Sequence, residues 1–203
     1  MKRILLIVSV LSLIMLMSCT TNGTYKQSNS QTQSKDVQAG SNTREDQHNI
    51  PTEELTANTP SPKMKRYSNN LYSVSYPSDW LCAEQPNEFV DVAFGQQVGI
   101  AFSIFHIDID ATLSEIVNSG NNDMKTQLGA TVLSNSKIKL CNIDAYKTIF
   151  RFHTNGIDCK QISYTLKKGA TYYNVRFNGG VQDIDNNEDL IETIIQSFEL
   201  KTK

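Results

Sequence analysis

The sequence predicts an α+β fold for residues 66–203, built from an antiparallel β-sheet and two helices. Three observations support this prediction: short apolar runs alternate with turn residues, an Asn-Gly pair stands at 155–156, and two segments carry apolar residues at helical spacing. A tight type I′ hairpin needs positive φ at both central residues, which Asn and Gly adopt readily. Groups of strands that are each followed by one helix are typical of α+β architecture.

The chain begins with the pattern of an export signal. Residues 1–3 are Met-Lys-Arg, and residues 4–17 are apolar except for Ser9 and Ser12. This apolar run is shorter than the roughly 20 residues that a membrane-spanning helix needs. The pattern therefore favours a cleaved signal peptide, with an uncleaved membrane anchor as the alternative.

The apolar run ends in Leu16-Met17-Ser18-Cys19, which resembles the lipobox of bacterial lipoproteins. In that family the signal peptide is cut before an obligatory cysteine whose sulfur carries a diacylglycerol. The resemblance implies that residues 1–18 are removed and that Cys19 is the lipid-attachment site, although Met17 is bulkier than the residue usual at that position. Two or three acyl chains anchor a protein stably, because each buried methylene contributes about 0.8 kcal/mol. We therefore expect a membrane-anchored envelope protein exposed outside the cytoplasmic membrane.

Residues 19–65 are predicted to form a polar tether that begins with the lipidated cysteine. Of residues 20–65, 23 are Ser, Thr, Asn or Gln and only seven are apolar or aromatic. Such a segment cannot bury enough apolar surface to offset its chain entropy. The predicted organisation is thus a signal peptide at 1–18, a tether at 19–65 and one globular domain at 66–203. Thr20 is not the Asp that favours inner-membrane retention in some bacteria, so we expect an outer-membrane destination in a cell that has one.

The domain begins with short strands and a well-marked helix. Apolar runs separated by Pro, Gly, Asn and Ser predict the strands, and Thr112 with Glu115 forms a capping box that predicts a helix from Thr112 to about Gly129. After this helix the pattern is an antiparallel meander, and a second amphipathic helix follows at 188–198. The predicted strands are 71–76, 80–83, 89–94, 98–107, 131–140, 145–153, 157–166 and 171–177.

This order of elements resembles the PsbP-like fold. The resemblance rests on "LYSVSYPSDW" at 71–80, the capped helix that starts "TLSEIV", the meander, and the closing "LIETIIQSF" at 190–198, and it covers nearly all of residues 66–203. It implies an antiparallel sheet sandwiched by helices. The superfamily includes extrinsic photosystem II subunits, a Ran-binding import factor and many bacterial lipoproteins, so the fold alone implies no single function.

Charge and motif content make two functional classes improbable. Residues 66–203 carry 12 basic and 16 acidic side chains, with no basic cluster beyond Lys167-Lys168, whereas nucleic-acid binding requires a basic face. The sequence contains no G-x-S-x-G, C-x-x-C, H-E-x-x-H, P-loop or calcium-loop motif. We therefore predict a protein that is not an enzyme, holds no cofactor and binds no nucleic acid.

Two groups of polar residues are the candidates for a site. His106, Asp108 and Asp110 alternate at a strand end, where one nitrogen and two oxygens could face a metal. Solvated residues at a strand exit explain the pattern equally well, and we assign no metal. His153 and Asp158 should face each other across the Asn-Gly hairpin, most simply as a surface pair.

The aromatic residues could either line a ligand pocket or pack in the core. Tyr72, Tyr76 and Trp80 surround the first Pro turn, and Tyr172 and Tyr173 are adjacent on a strand. Large aromatic side chains mostly pack. We therefore predict core positions for these residues, with one ring of the 172–173 pair on each face.

Three cysteines remain after Cys19. An odd number in an exported domain leaves at least one thiol free or paired between chains. Cys141 and Cys159 should lie at opposite ends of one strand, about 20 Å apart at 3.3 Å per residue, which is too far for a disulfide. Buried apolar roles are the default prediction for Cys82, Cys141 and Cys159.

Two functional hypotheses remain. The first is a non-catalytic binding or assembly module that the lipid holds near an envelope protein; the alternative is a receptor or carrier for a small ligand or a metal. A protein-binding role predicts a contiguous exposed apolar patch. A ligand-binding role predicts an enclosed pocket with converging polar groups.

Overall fold

The computed structural model describes residues 62–97 and 99–201. The predicted signal peptide, the Cys19 lipid site and nearly all of the predicted tether lie outside these residues. The strands are β1 (Met64–Ser68), β2 (Tyr72–Pro77), β3 (Leu81–Asn87), β4 (Val90–Gly95), β5 (Ala101–Asp108), β6 (Thr131–Leu140), β7 (Ile143–Thr154), β8 (Ile157–Lys168), β9 (Thr171–Gly180) and β10 (Glu199–Leu200). The helices are α1 (Leu113–Leu128), α2 (Val181–Asp185) and α3 (Glu188–Gln196). Within the described ranges no helix is both long and apolar enough to cross a membrane.

The strands form two antiparallel sheets, which confirms the predicted α+β class. The large sheet has seven strands in the order β3-β4-β5-β9-β8-β7-β6, and the small sheet has the order β1-β2-β10. The meander β6 to β9 pairs neighbour with neighbour, and β9 then pairs with β5. Strand β9 therefore joins the two halves of the large sheet and lies near its centre.

The predicted turns at the hairpins are confirmed. Asn155 and Gly156 have φ values of 51° and 76°, so both central residues adopt the positive φ that a type I′ turn requires. Thr154 pairs with Ile157 across this turn. The turn therefore has two residues and sets the register of β7 against β8.

Helix α1 begins and ends where the sequence predicts. The Glu115 backbone N–H donates to Thr112 Oγ1 at 3.2 Å, and the Thr112 N–H donates to the Glu115 carboxylate at 2.8 Å. These two bonds form the complete capping box. Gly129 closes the helix in the left-handed conformation with φ 61°, which glycine adopts without a steric penalty.

The two faces of the large sheet differ in what covers them. On one face lies the main apolar core, to which α3 contributes Ile191, Ile194 and Ile195 and the small sheet contributes Tyr72. On the other face lies α1, which buries only Val117 and Met124. Because side chains alternate along a strand, the same strands supply an apolar surface to α3 and a different surface to α1.

Several predicted boundaries were wrong. Strand β1 starts at Met64, two residues before the predicted start of the domain, because Met64 and Lys65 pair with Pro77 and Tyr76 of β2. Strand β5 starts at Ala101, where its pairing with β4 begins opposite Gly95; the predicted start at residue 98 lies outside the described residues.

At the chain end, α3 stops at Gln196 rather than at residue 198. Ser197 is the C-cap of this helix, and its hydroxyl accepts a hydrogen bond from the Ser75 N–H at 2.8 Å. This contact ties the end of the helix to β2. The next residues then form β10, which pairs with β2.

Candidate functional site

A cavity of about 60 Å³ lies between α1 and the large sheet. We call it the α1 pocket. By volume it can hold about four water-sized groups, at roughly 15 Å³ each. Its wall on the helix side consists of Ile116, Val117, Gly120, Asn121, Asp123 and Met124. Its wall on the sheet side consists of Phe150, Gln161, Ser163, Thr165, Tyr172, Asn174 and Arg176.

The strand pairing explains why polar side chains meet in this pocket. Ser163 lies opposite Arg176 and Thr165 opposite Asn174 in the β8–β9 register. Residues directly opposite in antiparallel strands share one face, so these four side chains form a patch on the α1 side. Their neighbours in sequence, such as Tyr164, point into the main core.

Arg176 is the central feature of the pocket. Only 9% of its surface is exposed, and its Nε is buried without a hydrogen-bond partner. Among residues 62–97 and 99–201, no carboxylate lies within ion-pair distance of its guanidinium and no side chain hydrogen-bonds to it. The guanidinium carbon lies 5.2 Å from the centre of the Phe105 ring. The phenyl ring therefore contacts the cation through a cation–π interaction, which neutralises no charge.

Burial lowers the pKa of Arg176 to about 10, and Tyr172 acts in the opposite direction. The guanidinium thus keeps its positive charge at neutral pH. Moving an ion from water into a protein interior costs several kcal/mol when no partner compensates it. The unliganded pocket therefore contains a charge that destabilises the fold.

Unmatched acceptors complete the pocket. Asn174 Nδ2 donates to Ser163 Oγ at 2.7 Å and to Thr165 Oγ1 at 2.8 Å, which leaves Asn174 Oδ1 buried without a partner. Gln161 Oε1 and Asp123 Oδ2 are buried and unmatched as well. Burial raises the pKa of Asp123. Three unmatched oxygen acceptors and one unmatched guanidinium nitrogen thus belong to residues that line one cavity.

Gly120 lines this cavity on the helix side. It lies in the middle of α1, where glycine destabilises a helix by up to about 1 kcal/mol relative to alanine. A Cβ atom built at this position would meet no heavy atom within 4 Å. The missing side chain is therefore not required by packing, and its absence leaves space at the pocket.

The predicted metal candidates lie elsewhere and do not converge. His106 Nδ1 is 2.7 Å from Asp91 Oδ2, and the Tyr72 hydroxyl donates to the same oxygen at 3.1 Å. Asp108 instead accepts a hydrogen bond from Thr171 Oγ1 at 2.6 Å. Over the described ranges, no three His, Cys, Asp or Glu side chains are grouped as metal ligands. Sequence reasoning missed Asp91, which comes next to His106 only through the β4–β5 pairing.

The His153–Asp158 pair was predicted correctly. The two residues are register partners, with Nδ1 and Oδ1 3.0 Å apart, and Arg151 donates to the other Asp158 oxygen at 3.1 Å. The hydrogen bond from His153, followed by the one from Arg151, lowers the pKa of Asp158. All three side chains are largely exposed, so this is a surface cluster.

The aromatic residues near the first Pro turn pack as predicted. Trp80 is buried with its ring 6.0 Å from that of Phe102, and Tyr76 packs 4.5 Å from Phe94. Trp80, Tyr76 and His106 are not among the described residues that line the α1 pocket.

The predicted placement of Tyr172 and Tyr173 on opposite faces is also confirmed. Tyr173 belongs to the main core, whereas Tyr172 lines the α1 pocket. The purely structural role expected for Tyr172 was therefore incomplete.

The cysteine predictions hold in part. Cys141 is a free, half-buried thiol, so the predicted absence of a Cys141–Cys159 bridge is confirmed. Cys159 is buried beside Phe150 and Phe152 as expected. The buried role predicted for Cys82 was wrong, because Cys82 lies on the edge strand β3, whose residues are all exposed.

Solved structures with the same fold include a cyanobacterial PsbP. Cyanobacterial PsbP (CyanoP) from Synechocystis sp. PCC 6803 matches with a TM-score of 0.57 and 16% identity, over 71% of this chain and 96% of that chain. A protein from Bacteroides thetaiotaomicron matches with a TM-score of 0.52 and 17% identity, over 68% of this chain and 49% of that chain. These likenesses support the PsbP-like fold that the sequence resemblance implied.

A mycobacterial protein has the same architecture. LpqN of Mycobacterium tuberculosis, which is involved in cell envelope biogenesis, matches with a TM-score of 0.51 and 9% identity, over 68% of this chain and 92% of that chain. At such low identities the likeness shows the fold alone. Neither protein-family models nor curated proteins match this sequence.

Proposed function

We propose that this protein is an envelope lipoprotein, anchored by acyl chains on Cys19, whose domain is a non-catalytic binding module for a small ligand. The observation that carries the binding role is Arg176, a buried cation without a counterion in a cavity. A pocket with converging polar groups and a perturbed charge is the usual form of a ligand site. A ligand that supplies the missing partners would remove the desolvation penalty.

The distribution of apolar surface favours a small ligand over a protein partner. The large exposed apolar side chains among the described residues are few. Leu81 lies on β3 and Val132 and Leu133 lie on β6, at opposite edges of the large sheet, and Ile157 lies at the β7–β8 turn. Protein-binding surfaces are typically contiguous apolar patches. An envelope protein as partner is therefore the second candidate for this module.

The chemistry of the pocket supports a binding role rather than a catalytic one. Its polar wall consists of amides, hydroxyls, one guanidinium and the Asp123 carboxylate. The amides, hydroxyls and guanidinium bind and orient a ligand, and general acid–base catalysis in this pocket would rest on Asp123 alone. The envelope location rests on the Cys19 lipobox and agrees with the envelope role of LpqN, a protein of the same fold.

The anchoring part is tested by metabolic labelling with palmitate. Wild-type protein should incorporate the label and sediment with membranes, whereas Cys19→Ala should incorporate none, because serine or alanine cannot supply the sulfur. Ser18→Ala serves as the matched control, since alanine is accepted before the lipobox cysteine. Unlabelled wild-type protein would refute the lipoprotein assignment.

The binding part is tested by closing the pocket at Gly120. The lipidated full-length protein, purified in detergent, is screened by ¹⁵N NMR against small polar organic fragments of neutral, anionic and cationic type. We expect some fragments to shift the amides of Ser163 and Asn174 in wild type and in Gly120→Ala, but not in Gly120→Leu, whose side chain enters the open space. Fragments that shift these amides equally in Gly120→Leu would refute the pocket as the site.

A further inference from the structure

The unmatched groups of the α1 pocket are not all alike, and their types restrict the ligand. The positive member is the Arg176 guanidinium, which can only donate hydrogen bonds. The amide oxygens Asn174 Oδ1 and Gln161 Oε1 can only accept hydrogen bonds. The same holds for Asp123 Oδ2 when the aspartate is ionised. A complementary ligand needs negative oxygens at one end and hydrogen-bond donors at the other.

We propose that the α1 pocket binds a small organic oxyanion that carries its own hydrogen-bond donor, such as a hydroxycarboxylate or an amino acid. In this arrangement the carboxylate accepts hydrogen bonds from Arg176, and the ligand hydroxyl or ammonium donates to Asn174 Oδ1 and Gln161 Oε1. This inference rests on the proposed ligand-binding function and adds the chemical class of the ligand.

The contacts of Arg176 favour an oxyanion over water or a neutral ligand. The guanidinium carbon lies over the Phe105 ring, and its N–H groups have no side-chain partner among the described residues, so these donors are the atoms available to a ligand. A planar guanidinium edge matches the two oxygens of a carboxylate. A water molecule can accept a hydrogen bond from an N–H group but does not neutralise the buried charge. An oxyanion accepts the hydrogen bond and neutralises the charge as well.

The contacts of Asn174 explain why the ligand should also carry a donor. Both bonds of Asn174 Nδ2 go to the hydroxyls of Ser163 and Thr165, and in this orientation the amide oxygen is unmatched. Gln161, with 1% exposure, adds a second unmatched oxygen in the same wall. A simple inorganic or alkyl anion would leave both oxygens without partners, which is unfavourable in a buried site.

The size of the cavity sets an upper limit on the buried part of the ligand. A volume of about 60 Å³ accommodates roughly four to five heavy atoms. This corresponds to the head of a two-carbon or three-carbon acid. A longer ligand would have to extend out of the pocket, and the space beside Gly120 is open.

The test compares acetate, glycolate and acetamide as probes of the full-length protein. Acetamide is the neutral isostere of acetate, and glycolate adds one hydroxyl donor to acetate. Titrations at constant ionic strength are followed by the amide shifts of Ser163 and Asn174. We expect the dissociation constant to be lowest for glycolate and highest for acetamide, with about a tenfold or larger range, because hydrogen bonds to charged groups are the stronger ones.

Three variants assign the recognition to particular side chains. Arg176→Met should weaken glycolate binding about tenfold or more and remove the preference for glycolate over acetamide, whereas Arg176→Lys should keep a preference for anions. Gln161→Met should reduce the advantage of glycolate over acetate. Circular dichroism and the Trp80 fluorescence spectrum verify that each variant is folded.

Three results of the glycolate and acetamide titrations would overturn the inference. In the first, acetamide binds as tightly as glycolate; in the second, Arg176→Met binds glycolate as tightly as wild type. If a fragment outside the anion class still binds in wild type and is blocked by Gly120→Leu, the proposed ligand-binding function stands while the anion assignment fails. If glycolate shifts amides outside the pocket only, the anion assignment also fails.

Discussion

Replacing Arg176 by methionine should stabilise the unliganded protein while it removes ligand recognition. The structure sets the magnitude. An unpaired buried ion costs several kcal/mol, and the cation–π contact between Arg176 and Phe105 offsets about 1–2 kcal/mol of this. Methionine has a similar length and keeps a favourable sulfur–aromatic contact with Phe105. We therefore expect the free energy of unfolding to rise by about 1–3 kcal/mol.

Urea denaturation followed by Trp80 fluorescence measures this change. Trp80 is the single tryptophan of the chain and is buried in the main core, so its emission reports global unfolding. Urea is uncharged and does not screen the buried cation. With a urea m-value of about 1–3 kcal/mol per molar, the midpoint should rise by about 1 M at an unchanged m-value.

A matched arginine on the surface provides the control. Arg151 lies on β7, is about half exposed and pairs with Asp158. Arg151→Met should change stability by less than about 1 kcal/mol, because exposed ion pairs contribute little. If Arg176→Met is less stable than wild type while Arg151→Met is neutral, Arg176 supports the fold, and its use as evidence for a ligand site is wrong.

Three further substitutions test α1 and its pocket. Gly120→Ala should raise the free energy of unfolding by about 0.5–1 kcal/mol in the same urea assay, because alanine has the higher helix propensity and its methyl group meets no atom. A lower free energy of unfolding would mean that there is no free space at this position. Thr112→Ala should lower it by about 1 kcal/mol, because one orphan N–H loses its cap, whereas Thr126→Ala, inside the helix, should not. Asp123→Asn should raise the melting temperature at pH 7. Because burial raises the folded-state pKa of Asp123 above its unfolded value, the ionised group destabilises the fold above the folded pKa and has no effect below the unfolded one. The gain of the Asn variant should therefore shrink as the pH falls, and a pH-independent gain would contradict this.

Much of the fold could be predicted because its signals are local. The capping box of Thr112 and Glu115, the left-handed Gly129 and the Asn155-Gly156 turn each depend on residues only a few positions apart. Strand β1 could not be predicted in this way. Its sequence is Met-Lys-Arg-Tyr-Ser, which has no alternating apolar pattern, and its position depends on pairing with β2.

The α1 pocket escaped prediction for a similar reason. Gln161, Ser163, Thr165, Asn174 and Arg176 alternate with apolar residues along β8 and β9, and such alternation normally indicates a face in contact with water. Only the strand order, which places β8 and β9 inside the sheet, and the packing of α1 over them bury this face. One signal in the sequence could have indicated the pocket: the polar face belongs to two strands of the predicted meander, and strands inside a sheet are often covered on both faces.

The unequal cover of the two sheet faces also bears on how the domain opens. Helix α3 inserts three isoleucines into the main core over nine residues, whereas α1 buries two side chains over sixteen and lies on a face that combines polar side chains with a small apolar cluster. Regions with few buried apolar contacts detach at a lower free energy than the whole domain unfolds. Backbone amides of α1 should accordingly exchange with solvent deuterium by local fluctuation, and those of α3 by global unfolding. The interior beneath α1 can therefore exchange molecules with the surrounding water while the rest of the fold stays intact.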